Sequence, residues 1–200
     1  MKSESKRNLS LSILAIAFIA FIYGTAKAMG IVSKTHVGTS NGIYRSYVTT
    51  SKEIQNKAFA LTRHCSDELC DVQTLLDFVT NIPYRTNTFQ QYTAQKTMQQ
   101  NFGDCDDKSN LLISMLHTLG KEAYFVLVPK HIFIIIALDD DRLRKKKGLW
   151  VNGKKYYILE STAKGSGVGF PMQYGLEDID VVVEPFTNEK VTLKKLEWKR

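Results

Sequence analysis

An α+β fold, helices first and an antiparallel sheet after them, is predicted by three observations. Between residues 51 and 120 apolar side chains recur at helical spacing. After Gly120 the pattern changes to short runs of β-branched and aromatic residues, which read as strands. Between two such runs stands Asn152-Gly153, the strongest short signal for a two-residue hairpin. The chain has 200 residues, 44% of them hydrophobic and 24% charged. Those proportions exclude wholesale disorder, collagen and coiled-coil arrays, and no repeat of solenoid or propeller period is visible.

Residues 1–28 read as a targeting segment. Lys2, Lys6 and Arg7 precede a 15-residue apolar run from Leu9 to Tyr23, followed by Gly24, Thr25 and Ala26-Lys27-Ala28. A basic start, a short apolar middle and small residues spaced A-x-A are the layout of a secretory signal. A full membrane span wants about 20 residues, so the run is short for one. Two outcomes are expected: a signal peptide cleaved after Ala28, or an uncleaved membrane anchor over residues 9–23. Both put the remainder outside the cytoplasm, in a periplasm or the extracellular space. The formal charge is +7, of which residues 1–28 carry four bases against one acid, leaving 23 against 19 elsewhere. That excess does not point to a nucleic-acid partner.

Residues 29–50 are polar and are expected to form an extended entry to a domain spanning 51–200. Ser51 opens a helix with Ile54, Ala58 and Leu61 on one face. A second helix carries Leu69, Val72, Leu75, Leu76 and Val79 and ends before Pro83, because the residue preceding a proline resists the helical region. Cys65 and Cys70 bracket its start. With Ser66 as N-cap they occupy the two positions that a hydrophobic staple brings together, so a disulfide is expected there. Residues 84–101 are Gln/Thr-rich and read as a loop with one helical turn at most. Gly103-Asp104 then opens a strongly amphipathic helix with Leu111, Leu112, Met115, Leu116 and Leu119, ended by Gly120. Strands are expected over 122–129, 131–138, 150–151, 154–160, 178–184 and 190–198. The second is apolar on both faces and should be central.

Cys105 is the odd thiol, in the first turn of the long helix. The helix dipole and unpaired N–H groups favour an anion there, which activates a cysteine. Asp104, Asp106 and Asp107 act against a thiolate, and Lys108 offsets them only in part, so a nucleophilic Cys105 needs a cationic partner. His36 and His64 lie elsewhere, and His117 is about 18 Å along the same helix. His131, first in the most apolar strand, is the candidate base. Glu160, at the end of the strand 154–160, is the candidate to orient it.

Gly103-Asp104-Cys105-Asp106-Asp107-Lys108-Ser109, with Leu111-Leu112 and Leu119-Gly120 behind it, resembles the catalytic helix of the transglutaminase-like superfamily. His131-Ile132-Phe133 resembles its histidine strand, and Tyr156 to Thr162 its third motif, although Glu160 stands where aspartate is usual. Phe78-Val79 and Ile82-Pro83-Tyr84 are similar to the segment that precedes the catalytic helix. The resemblance covers residues 65–163. It implies a papain-like core, a Cys105-His131-Glu160 site and thioester chemistry on a peptide or protein amide, with no cofactor and no metal. A cysteine-dependent amide hydrolase is the leading expectation. A transglutaminase or other acyl transferase, and a catalytically silent peptide- or envelope-binding domain, are the alternatives. The Cys105 N–H would stabilise the oxyanion, with Tyr84, Gln91 or Gln95 as the second donor. Gly165–Gly169 mimics a phosphate loop but lacks the following Lys-Ser/Thr, so a mobile rim loop is expected instead.

Overall fold

The protein is described from a computed structural model, over residues 11, 13–27, 37–39, 42–86 and 91–200. The basic start, the Ala28 cleavage position and His36 lie outside these residues. The chain divides into two units, Met1–His36 and Val37–Arg200. In the first, residues 13–27 form a helix, α1, whose large apolar side chains, Ile16, Phe18, Ile19 and Phe21 among them, are exposed. Among the described residues no helix is long and apolar enough to cross a membrane.

The second unit is α+β. It opens with a short antiparallel ribbon, β1 (Val37–Thr39) and β2 (Gly42–Tyr44), where the composition predicts only an extended entry. Four helices follow: α2 (Lys52–Thr62), α3 (Glu68–Asn81), α4 (Ala94–Gln100) and α5 (Cys105–Thr118). Ser51 caps α2 by accepting from the Ile54 N–H. The start of α3 differs from expectation by one residue. Its cap is Asp67, not Ser66, with the carboxylate accepting from the Cys70 N–H at 2.8 Å. A carboxylate is a stronger acceptor than a hydroxyl at the positive end of a helix, and Arg142 donates to the same oxygen at 2.8 Å.

The Cys65–Cys70 disulfide forms all the same, with Cα atoms 5.4 Å apart. It closes a small ring, so its reduction is expected to lower stability by only about 2 kcal/mol. Denaturant titration with and without dithiothreitol checks this. A loss several times larger would mean that the start of α3 folds only when cross-linked. The segment read as a loop contains α4, two turns long, because Thr93 caps it and Ala94 and Thr97 are buried against its neighbours. Asn101, at positive φ, ends it.

The sheet has seven strands in the order β8-β7-β3-β4-β6-β5-β9, all antiparallel: β3 (Ala123–Val128), β4 (His131–Ile136), β5 (Gly148–Val151), β6 (Lys154–Leu159), β7 (Val181–Glu184), β8 (Glu189–Lys190) and β9 (Leu196–Lys199). The β5–β6 hairpin turns at Asn152-Gly153, both with positive φ, as a two-residue primed turn requires. The stretch 190–198 is not one strand. It is split between β8 and β9, which sit at opposite edges of the sheet.

β4 is central, and both of its faces are buried. Ile132, Ile134 and Ile136 join Phe125 of β3 and the Leu111, Leu112, Met115 and Leu116 stripe of α5 in the main core. Phe133 and Ile135 face a second core under Phe170, Met172, Tyr174 and the C-terminal strand. Strand alternation sends neighbouring residues to opposite faces, so a run apolar at every position demands a cover on each side.

Candidate active site

The site begins at the mouth of α5. Asp104 caps the helix by accepting from the Asp107 N–H. Asp107 returns the bond to the Asp104 N–H, which completes a capping box. The second Asp107 oxygen accepts from the Tyr92 N–H at 2.8 Å, tying the 91–93 segment to this turn. Gly103 lies in a parallel bridge with Tyr84. A Cβ there would stand 2.8 Å from the Asp107 Cβ and 3.1 Å from Thr97 Cγ2, so only glycine lets the box close. Cys105 is thereby fixed as the first residue of the helix, and it is partly exposed.

His131 opens β4 directly after the turn at Lys130, whose φ is positive. Ile134 of β4 pairs with Leu159 of β6, which brings Glu160 to the His131 end of the sheet. The two side chains meet, with His131 Nε2 and Glu160 Oε2 2.9 Å apart. The longer arm of Glu160 is taken up by Thr162, whose N–H and hydroxyl both donate to Oε1. Glu160 is buried, which by itself raises a carboxyl pKa. The bonds from His131 and Thr162 outweigh that and hold it below the ordinary range. Tyr174, from the loop after Pro171, stacks on the imidazole with ring centroids 5.9 Å apart. No sequence signal marks Tyr174, because a single aromatic residue in a loop belongs to no pattern.

Cys105 and His131 line the same cavity, of about 240 Å³, together with Tyr44, Gln91, Asp106 and Lys130. The Cys105 thiol faces Asp106, with Sγ 3.9 Å from Oδ1. Burial, then the charges of Asp106 and Asp104, push the thiol up to about 12. Burial and the two aspartates both favour the neutral thiol over the thiolate. Asp106 is itself pushed up to about 6 by burial and by Asp104, while Gln91 Nε2 donates to its other oxygen at 3.1 Å.

Asp106→Asn removes one charge and can keep a bond to Gln91. It is expected to lower the thiol pKa and to speed alkylation of Cys105 by iodoacetamide at neutral pH by about tenfold, the effect of one pKa unit on the thiolate fraction. An unchanged rate would show that this carboxylate does not hold the thiol protonated. The same change alters stability. A carboxyl raised to about 6 in the fold contributes stability that is full below its unfolded value and is lost as pH rises through about 6. Asp106→Asn should therefore gain on the parent protein in thermal melts above that window and not below it.

The other residues singled out from the sequence separate. Gln91 lines the cavity, but its amide is engaged by Asp106. Gln95 donates to Glu53 at 2.8 Å and is not among the cavity residues. Tyr84 is 54% exposed, beside Gly103. His64 accepts from Arg63, and His117 packs on Phe186. The Gly165–Gly169 loop is anchored: Gln73 bonds Ser166 and Val168, and Lys146 donates to the Val168 carbonyl. Lys108 points inward and is buried, donating to the Thr80 and Ile82 carbonyls at 3.3 and 2.9 Å. Burial lowers its pKa, opposed by the charge of Glu160.

Comparison with known proteins gives the following. No curated protein matches the chain. A solved chain named "putative cysteine protease" from Cytophaga hutchinsonii is 15% identical with a TM-score of 0.48, the match covering 78% of this chain and 53% of that one. A "putative protease" from Parabacteroides distasonis is 15% identical with a TM-score of 0.44, covering 70% of this chain and 27% of that one. The protein thus spans about half the length of the first and about a quarter of the second. Residues 55–134 match the model of the transglutaminase-like superfamily. That segment, two fifths of the chain, contains the helix of Cys105 and the start of the strand of His131, though not Glu160.

Proposed function

We propose that the protein is a cysteine-dependent amide hydrolase, a peptidase in its leading reading, working through Cys105, His131 and Glu160. The observation that carries this is the shared cavity: Cys105 and His131 line it together, and Glu160 holds His131 through Nε2. With the thiol pushed up to about 12, His131 acts as a general base at the moment of attack rather than as half of a standing ion pair. Cys105 Sγ bonds to the amide carbon while its proton passes to His131. The carbonyl electron pair moves to oxygen, where the N–H at the start of α5 faces it. Collapse expels the amine, protonated by His131, and leaves a thioester. Water, activated by the same ring, releases the acid. Glu160 holds the ring orientation and balances its charge.

The test is acylation by p-nitrophenyl acetate. A burst of p-nitrophenolate equal to the protein concentration, absent in Cys105→Ala, supports the reading. The absence of any Cys105-dependent burst would reduce the protein to a silent binding module. An added primary amine distinguishes the second enzymatic reading, since transamidation gives an amide product and faster turnover. For location, the disulfide is consistent with an oxidising compartment. Export by residues 1–28, cleaved or retained as an anchor, is part of the same proposal. Mass spectrometry of the protein from its native cell decides between those two forms.

A further inference from the structure

Tyr44 is the feature that the preceding mechanism does not use. It ends β2, is 6% exposed, and lines the cavity with Cys105 and His131. Its hydroxyl has no hydrogen-bond partner among the described residues. The Asn110 amide lies beside it and opposes part of the rise in its pKa, without a hydrogen bond of good geometry to the hydroxyl. The Asn110 oxygen accepts from Ser46 and the Tyr47 N–H, and its nitrogen donates to the Asp106 carbonyl. A buried hydroxyl without a partner costs about 1–3 kcal/mol, so it calls for an explanation. Burial, followed by the charge of Asp106, raises the Tyr44 pKa well above the usual phenol value, so the group is a proton donor at any working pH.

The hydroxyl is also held in place. Its ring meets Phe125 edge-on, with centroids 5.7 Å apart. The chain after it is bound along α5, through Asn110 to the Tyr47 N–H at 2.7 Å and through the Ser114 hydroxyl to the Thr49 N–H at 2.9 Å. A fixed donor, withheld from water on a residue that lines the cavity of a thiol nucleophile, has the properties of an oxyanion-stabilising group. Gln91, the rival within the cavity, gives one of its two amide hydrogens to Asp106.

We infer that the Tyr44 hydroxyl is the second donor of the oxyanion site, paired with the N–H at the start of α5. This rests on the Cys105 reading above. When Cys105 Sγ bonds to the carbonyl carbon, the π pair moves to oxygen and Tyr44 donates to that oxygen. When the C=O re-forms and the leaving group departs with its bonding pair, the donor returns unchanged.

The experiment compares two reactions of Cys105 in the full chain. Acylation by p-nitrophenyl acetate passes through an oxyanion. Alkylation by iodoacetamide, a displacement of iodide at a saturated carbon, does not. Tyr44→Phe keeps the ring contact with Phe125 and removes only the hydroxyl. Its burst rate is expected to fall about a hundredfold, the usual scale for one such donor, with the alkylation rate unchanged and the melting temperature no lower, since the hydroxyl that is lost has no partner. A fall of less than about fivefold overturns the assignment, given that scale. So does a parallel fall in alkylation, which would place the hydroxyl on the thiol instead. A normal burst in both proteins sinks Tyr44 alone. The absence of a Cys105-dependent burst in the parent protein sinks the hydrolase reading, and Tyr44 with it.

Discussion

His131→Ala is expected to slow acylation of Cys105 by about a thousandfold, within the range that a positioned general base supplies. The effect should be large because the site favours the neutral thiol over the thiolate. Burial and two aspartates have pushed it up to about 12, so at neutral pH almost none of it is ionised without a proton acceptor at hand. Glu160→Gln should give a smaller loss. It keeps a side chain of the same length between Thr162 and His131 and removes the charge. The measurement is the single-turnover burst with p-nitrophenyl acetate. If His131→Ala acylates at the parent rate, the proton goes elsewhere and the triad is wrong. Imidazole added to the His131→Ala protein should restore part of the rate, which a merely structural role for the ring would not produce.

Phe125→Ala should be the most damaging change outside the site. Phe125 is fully buried in β3, in the main core and edge-on to Tyr44. Removing such a ring leaves a cavity that neighbours cannot close, at a cost of about 3–5 kcal/mol. Against a total stability of about 5–15 kcal/mol, that is a large share. The melting temperature should fall by about 10 °C. A loss below about 1 kcal/mol would mean that the α5–β3 layer repacks, contrary to the density of protein interiors. Because Tyr44 leans on the same ring, the variant should also acylate more slowly than its folded fraction explains.

Much of the fold was legible because its signals are local. The caps at Ser51 and Asp104, the helical stripe of α5, the period change after Gly120 and the Asn152-Gly153 turn each lie within a few residues of one another. Local sterics and hydrogen bonding alone decide them. Errors fell where long-range contacts decide. Asp67 displaced Ser66 as cap partly through Arg142, 75 residues away. α4 formed in a polar stretch because it packs on α5 and α2. The stretch 190–198 divided because its two halves pair with β7 and β5 at opposite edges.

For the candidate site the division is similar. The sequence alone determined a thiol at a helix mouth, a histidine at the head of an apolar strand and a carboxylate at a strand end. Each of these is a residue type at a position that a local element defines. Tertiary structure decided what surrounds them: that Glu160 bonds His131, that Thr162 brackets Glu160, that Tyr174 covers the ring, and that Tyr44 reaches the cavity from 61 residues upstream of Cys105. The physical reason is that packing and desolvation belong to the assembled fold and have no sequence period. Only the closed core could turn an exposed-looking tyrosine in a polar segment into a buried hydroxyl without a partner.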